Sequence, residues 1–130
     1  MKFNYTLIFL SLLLFTSCAP KIVDTWNIDR YEVINDNKNS MVSQNIGTIT
    51  FEKNGSGSKN INYDVFQNNF VDKAPFNWEL QDGYIKIKSG SGKDSQFNKT
   101  WIIVEDKSKS QIWKSTDGKN SIQIIELSKK

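Results

Sequence analysis

Phe76-Asn77-Trp78-Glu79-Leu80, then Gln81-Asp82-Gly83, then Tyr84-Ile85-Lys86-Ile87-Lys88 is the stretch whose reading decides the fold. Apolar and polar residues alternate on both sides of a short turn-forming segment. An alternation of period two puts one face of each run against a core and the other in water, which is the pattern of a β-hairpin. The aromatic and β-branched side chains in both arms suit a pleated, half-buried surface.

The same signature recurs on either side. Upstream, Asn45 to Glu52 sets Ile49 and Phe51 against Thr48 and Thr50. Lys53-Asn54-Gly55 then supplies a turn that tolerates positive φ, and Ser56 to Asp64 continues with Ile61 and Tyr63 inward. Earlier still, Ile22 to Val33 makes the first strand, with Trp26 and Ile28 on one face and a bend expected near Asp29-Arg30. Downstream, the loop Ser89 to Asn98 leads to strands Thr100 to Glu105, Gln111 to Ser115 and Ser121 to Leu127, the last two joined through Asp117-Gly118. Trp113 and Tyr84 alternate with the isoleucines beside them, so one of each pair is expected outside. No helical periodicity follows Cys18. Eight short strands at turn-length spacing predict an all-β domain, an antiparallel meander closing into a small eight-stranded barrel; a two-sheet β-sandwich is the alternative. Closure has a physical motive, because it removes exposed strand edges.

The N-terminus reads differently. Met1-Lys2-Phe3-Asn4-Tyr5 begins with a positive charge, Thr6 to Phe15 is an apolar run, and Thr16-Ser17-Cys18 ends it with small residues. These are the three parts of a secretory signal, expected to be a helical signal peptide over residues 1–17. The run falls short of the roughly 20 apolar residues that a transmembrane helix needs. Phe15-Thr16-Ser17-Cys18 resembles the lipobox of bacterial lipoproteins. The resemblance implies that residues 1–17 are removed, that Cys18 takes a diacylglycerol and further acyl chains such as palmitate, and that residues 18–21 form a lipidated tether to a domain at 22–130. Ala19 in place of aspartate after the cysteine implies, by analogy, an outer-membrane lipoprotein facing the periplasm. The anchor on Cys18 makes the membrane a partner.

Composition removes several kinds of chemistry. The chain has no histidine, and its one cysteine is the lipidation candidate. Ser-His-Asp and Cys-His nucleophile systems, imidazole acid–base catalysis, thiolate zinc sites and disulfides are therefore excluded. The acids are scattered; Glu105-Asp106, the one adjacent pair, sits where a strand exits to solvent. Asn35-Asp36-Asn37-Lys38-Asn39-Ser40 lacks the glycine and closing glutamate of a calcium loop. Gly90-Ser91-Gly92-Lys93 lacks the first glycine and the following helix of a phosphate loop, and reads as a flexible connection. Loss of Lys2 with the signal takes the formal charge from +3 to +2, too mild an excess to argue for nucleic acid. No enzyme activity, cofactor or metal is expected.

A second resemblance spans most of the remaining chain. Trp26 near the start, Ile49-Thr50-Phe51 followed by Gly55-Ser56-Gly57, Phe76-Asn77-Trp78, and short amphipathic strands to the end are similar to the lipocalin-like domains of bacterial lipoproteins. This implies a small eight-stranded barrel. Lipocalins proper carry Gly-x-Trp in the first strand; here Trp26 matches and Asp24 holds the glycine position.

The rings frame the functional question. Trp26, Phe51, Tyr63, Phe76, Trp78 and Trp101 all fall on expected strands. Facing inward, they either line a pocket for a small hydrophobic ligand or fill an interior that eight strands leave only wide enough for side chains. In Asp64 to Pro75, Phe66 and Phe70 stand at i,i+4, so one helical turn would put both on one face as a lid or plug over a barrel mouth. Lys107, Lys109, Lys114, Lys119, Lys129 and Lys130 make the C-terminal part basic, as a solvated face or a surface for anionic headgroups. The reading is a lipid-anchored cell-envelope binding module, with an envelope protein-interaction or inhibitor module built on a filled barrel as the alternative.

Overall fold

The computed structural model describes residues 20–37, 39–90, 95–116 and 121–130. The signal segment, Cys18, Lys38, Ser91-Gly92-Lys93, the Asp117-Gly118 turn and Lys119 lie outside the described residues. The strands are β1 (Thr25–Ile34), β2 (Ser40–Phe51), β3 (Ser56–Val65), β4 (Asn68–Asp72), β5 (Phe76–Gln81), β6 (Tyr84–Ser89), β7 (Thr100–Asp106), β8 (Ser110–Thr116) and β9 (Ile122–Lys129). All pairings are antiparallel. β1 pairs with β2, β2 with β3, β3 with β5, and each later strand with the next until β9 returns to β1. The ring is a closed eight-stranded barrel, with β4 added outside it. A sandwich would need two separate sheets; here the β2–β3 pairing joins the ends of one.

Period two does the sorting. Along β3, Gly57, Lys59, Ile61 and Tyr63 are buried while Ser58, Asn60, Asn62 and Asp64 are exposed. Trp113 points inward and Tyr84 outward, so the two ambiguous pairs resolve in opposite senses. The bend expected near Asp29-Arg30 is a bulge: both neighbours of β1 slip register between Ile28 and Arg30. An extra residue re-aims the strand, and opposite it β2 has Asn45 at φ 52° and Gly47 at φ 140°. Gly47 is also where β3 comes closest, since a Cβ there would lie 2.0 Å from the Asn60 carbonyl oxygen. Gly47→Ala is therefore expected to cost about 1–3 kcal/mol, read as a lower midpoint in urea with an unchanged slope.

The interior is ring on ring. Toward the end where the chain enters, Phe51 meets Phe76 at 5.3 Å, Trp78 at 5.6 Å and Trp113 at 5.7 Å, all edge-to-face. At the other end, Tyr31 meets Tyr63 and Phe97 at 5.2 Å each, and Phe97 meets Trp101 at 6.0 Å. Each indole N–H is used inside the fold. Trp26 donates to the Ile22 carbonyl, Trp78 to Glu52 and Ser56, Trp101 to Phe97, and Trp113 to the Gln111 side chain.

One expectation requires correction. The Asp64 to Pro75 segment is not a helical turn: Phe66 and Gln67 form the tip of a β-hairpin, both at positive φ, and β4 runs back along β3. Phe66 is consequently exposed at the tip, and Phe70 stacks on Tyr63 at 5.4 Å. Phe97, in the segment just before β7, is fully buried and fills this end of the barrel.

Candidate functional site

The extra hairpin creates the site. β4 pairs with Ile61 to Val65, and farther down the same edge of β3 the first residues of β5 pair with Ser56 and Gly57. Lys73-Ala74-Pro75 bridges the two, and the Gly90 N–H donates to the Pro75 carbonyl at 3.1 Å. β5 goes on to pair with β6, whereas among the described residues β4 has no strand on its far side. A gap is left between β4 and the segment 95–99. It is an open cleft of about 780 Å³, walled by Tyr63, Phe70, Asp72, Lys73, Gln96 and Lys99, among others. The size is within the range of small-molecule sites, at about 300–1,000 Å³.

A polar cluster holds the cleft's inner wall. Lys59 is the inward residue of β3 two places before Ile61, and its side chain is fully buried. Its ammonium meets Asp72 at 2.7 Å and donates to Ser95 Oγ at 3.0 Å. Ser95 Oγ donates to the same Asp72 oxygen and accepts the Phe97 N–H at 3.1 Å. The other Asp72 oxygen accepts the Ala74 N–H at 3.1 Å. Burial pushes the Asp72 carboxyl up, but hydrogen bonds from Lys59, Ser95 and Ala74 and the Lys59 charge outweigh it, so it stays below the usual carboxylate range. The Lys59 ammonium lies over the Phe76 ring, with Nζ 5.8 Å from its centre.

This arrangement is a tie between β3, β4 and the 95–99 segment. Ser95 Oγ donates a hydrogen bond to Asp72 and accepts two, so its lone pairs are not free for attack on a substrate. Behind the tie, burial pushes both the Tyr31 and the Tyr63 phenol above their ordinary value, with Tyr31 and Asp72 adding to the effect at Tyr63. The Tyr31 hydroxyl is buried with no hydrogen-bond partner among the described residues. Lys99 forms part of the rim, donating to Gln123 Oε1 at 3.2 Å and lying over Trp101.

Of the six candidate ligand residues, only Tyr63 lines this cleft. Trp26, Phe51, Phe76, Trp78 and Trp101 sit in the packed core. Phe70 lines the cleft as a strand residue, and Phe66 does not. Lys59, Asp72 and Ser95 were missed, although Lys59 is in phase with Ile61 and Tyr63 and so marked as inward by period two. A smaller depression of about 180 Å³ lies at the opposite end, beside Pro20, Ile22, Leu80 and Ile103. Lys107, Lys109, Lys114, Lys129 and Lys130 are exposed, and Lys129 pairs with Asp24 at 3.4 Å. Among the described residues no His, Cys, Asp or Glu side chains gather as a metal site. The chain matches no known family model, and no curated protein matches it.

Proposed function

We propose that the protein is a lipid-anchored binding module of the bacterial cell envelope, attached through Cys18 and working at the cleft beside β4. The observation that carries this reading is the cleft of about 780 Å³ beside β4, in a barrel whose interior is otherwise occupied by rings. Its aromatic and cationic walls suit recognition, and the committed Ser95 hydroxyl argues for holding over turnover. The chain's approach supports the same arrangement. Pro20 to Ile22 pack beside Leu80 and Ile103, at the barrel end carrying the turns after Phe51, Gln81 and Asp106. An anchor two residues before Pro20 would thus hold that end to the bilayer and point the cleft toward the aqueous space.

The test uses the full-length chain in a bacterial host. Wild-type protein is expected to incorporate labelled palmitate and fractionate with membranes, and Cys18→Ser to do neither. A photo-cross-linking residue at Gln96, on the cleft wall, is expected to capture envelope components that the same residue at Ser108, on the anchored end, does not. Membrane fractionation of Cys18→Ser, or identical products from the two positions, would refute the reading.

A further inference from the structure

A closed barrel has no free strand edge, but this one carries β4. Every ring strand has a neighbour on both sides, and among the described residues β4 has only β3. Its hairpin has a two-residue tip, so the flanking pair Val65 and Asn68 exchanges both backbone bonds and the pattern then alternates. Asn68, Phe70 and Asp72 therefore turn their N–H and C=O groups to β3. Asn69 and Val71 turn theirs outward, beside the cleft. Val71 is 62% exposed. The segment has none of the lysines, prolines or bulges that usually blunt an edge until Lys73 and Pro75.

We infer that the free edge of β4 accepts an extended peptide as an additional strand, with an apolar side chain against Phe70 and Tyr63 and a carboxylate near Lys73. This rests on the cleft being the binding site and names its occupant. The outward N–H and C=O groups of Asn69 and Val71 bond the peptide backbone, which supplies affinity without sequence preference. Side-chain alternation supplies the preference. The peptide residue on the Phe70 face meets the Tyr63–Phe70 stack, and the residue on the Val71 face comes beside Lys73. Lys73 is exposed and forms no ion pair among the described residues, so the charge there favours an acidic side chain.

Amide hydrogen exchange, resolved by residue on the full-length chain, tests this. The probe is a short synthetic peptide of alternating valine and threonine with one central glutamate; the control is the same peptide N-methylated at alternate residues. With the probe, the Asn69 and Val71 amides are expected to exchange about tenfold more slowly or better, while Phe70 and Asp72, already bonded to β3, stay unchanged. The methylated control should leave all four as they were. Val71→Pro removes an outward donor without touching the β3 pairing, and is expected to weaken probe binding about tenfold. Lys73→Glu should weaken the glutamate probe and favour its lysine counterpart. Unchanged exchange at Asn69 and Val71, or equal binding of probe and control, would overturn the inference. If decanoate shifted the Tyr63 and Lys99 resonances while the edge amides stayed open, the cleft would remain a binding site and strand addition alone would fail. Slow exchange at both amides before any peptide is added, growing with protein concentration, would assign the edge to a second copy of the chain and also overturn it.

Discussion

Asp72→Ala is expected to lower the unfolding free energy by about 3–5 kcal/mol, because it leaves the fully buried Lys59 ammonium without its counter-charge. The large magnitude comes from desolvation and not from the attraction itself. An ion pair on the surface contributes about 0–1 kcal/mol, whereas the Lys59 side chain is fully buried behind Asp72. Urea unfolding followed by tryptophan emission measures it. The double replacement Lys59→Met with Asp72→Leu should recover most of the loss, since it removes both charges and keeps apolar volume over Phe76. A double variant no better than the single one would show that geometry, and not the orphaned charge, sets the cost. The pair also fixes the sign of the acid response. Asp72 titrates below its unfolded value of about 3.9, so its contribution is complete above that pH and is lost as pH falls through the folded value. Stability of the wild type should therefore decline below about pH 4 more steeply than that of Asp72→Asn.

Phe51→Ala should be comparably damaging, at about 3–5 kcal/mol, with the barrel topology retained by whatever fraction still folds. Phe51 is 1% exposed and stands at the centre of the ring cluster formed with Phe76, Trp78 and Trp113. Two strands, β5 and β8, hold those neighbours in place, which limits how far the void can collapse. Against a total of about 5–15 kcal/mol for a domain of this kind, such a loss is visible directly in a thermal melt. The experiment also separates the two readings of the inward rings. A ring lining an open pocket could be truncated at little cost, whereas one filling a core could not.

The strands were legible because their two faces see different solvents. Phe76 to Lys88 reads correctly as a hairpin, down to the turn at Gly83, whose φ of 81° a glycine accommodates, except that Leu80 in phase with Phe76 and Trp78 is exposed. β4 was not legible. Asn68 and Asn69 are poor strand formers, and the hairpin tip is Phe66-Gln67, where neither residue is one that turn chemistry would select for positive φ. With no turn signal, the i,i+4 spacing of Phe66 and Phe70 suggested a helix. Tertiary pairing with β3 overrode that local cue. The cleft was hidden for the same reason, since its walls come from β3, β4 and the 95–99 segment, which nothing in one dimension brings together. Lys59 shows the opposite failure. Its phase was readable, but a lysine at an inward position is assigned to the core only once Asp72 and Ser95 are seen beside it.

The internal hydrogen bonding of the four indoles has an optical consequence. Each fluorophore is screened from solvent and bonded to a fixed acceptor, so native emission should be blue and should redden only when the barrel comes apart. A library screened by intrinsic fluorescence would consequently report melting faithfully and remain almost blind to a molecule resting beside β4. Fluorine placed on the Phe70 ring would see such a visitor at once.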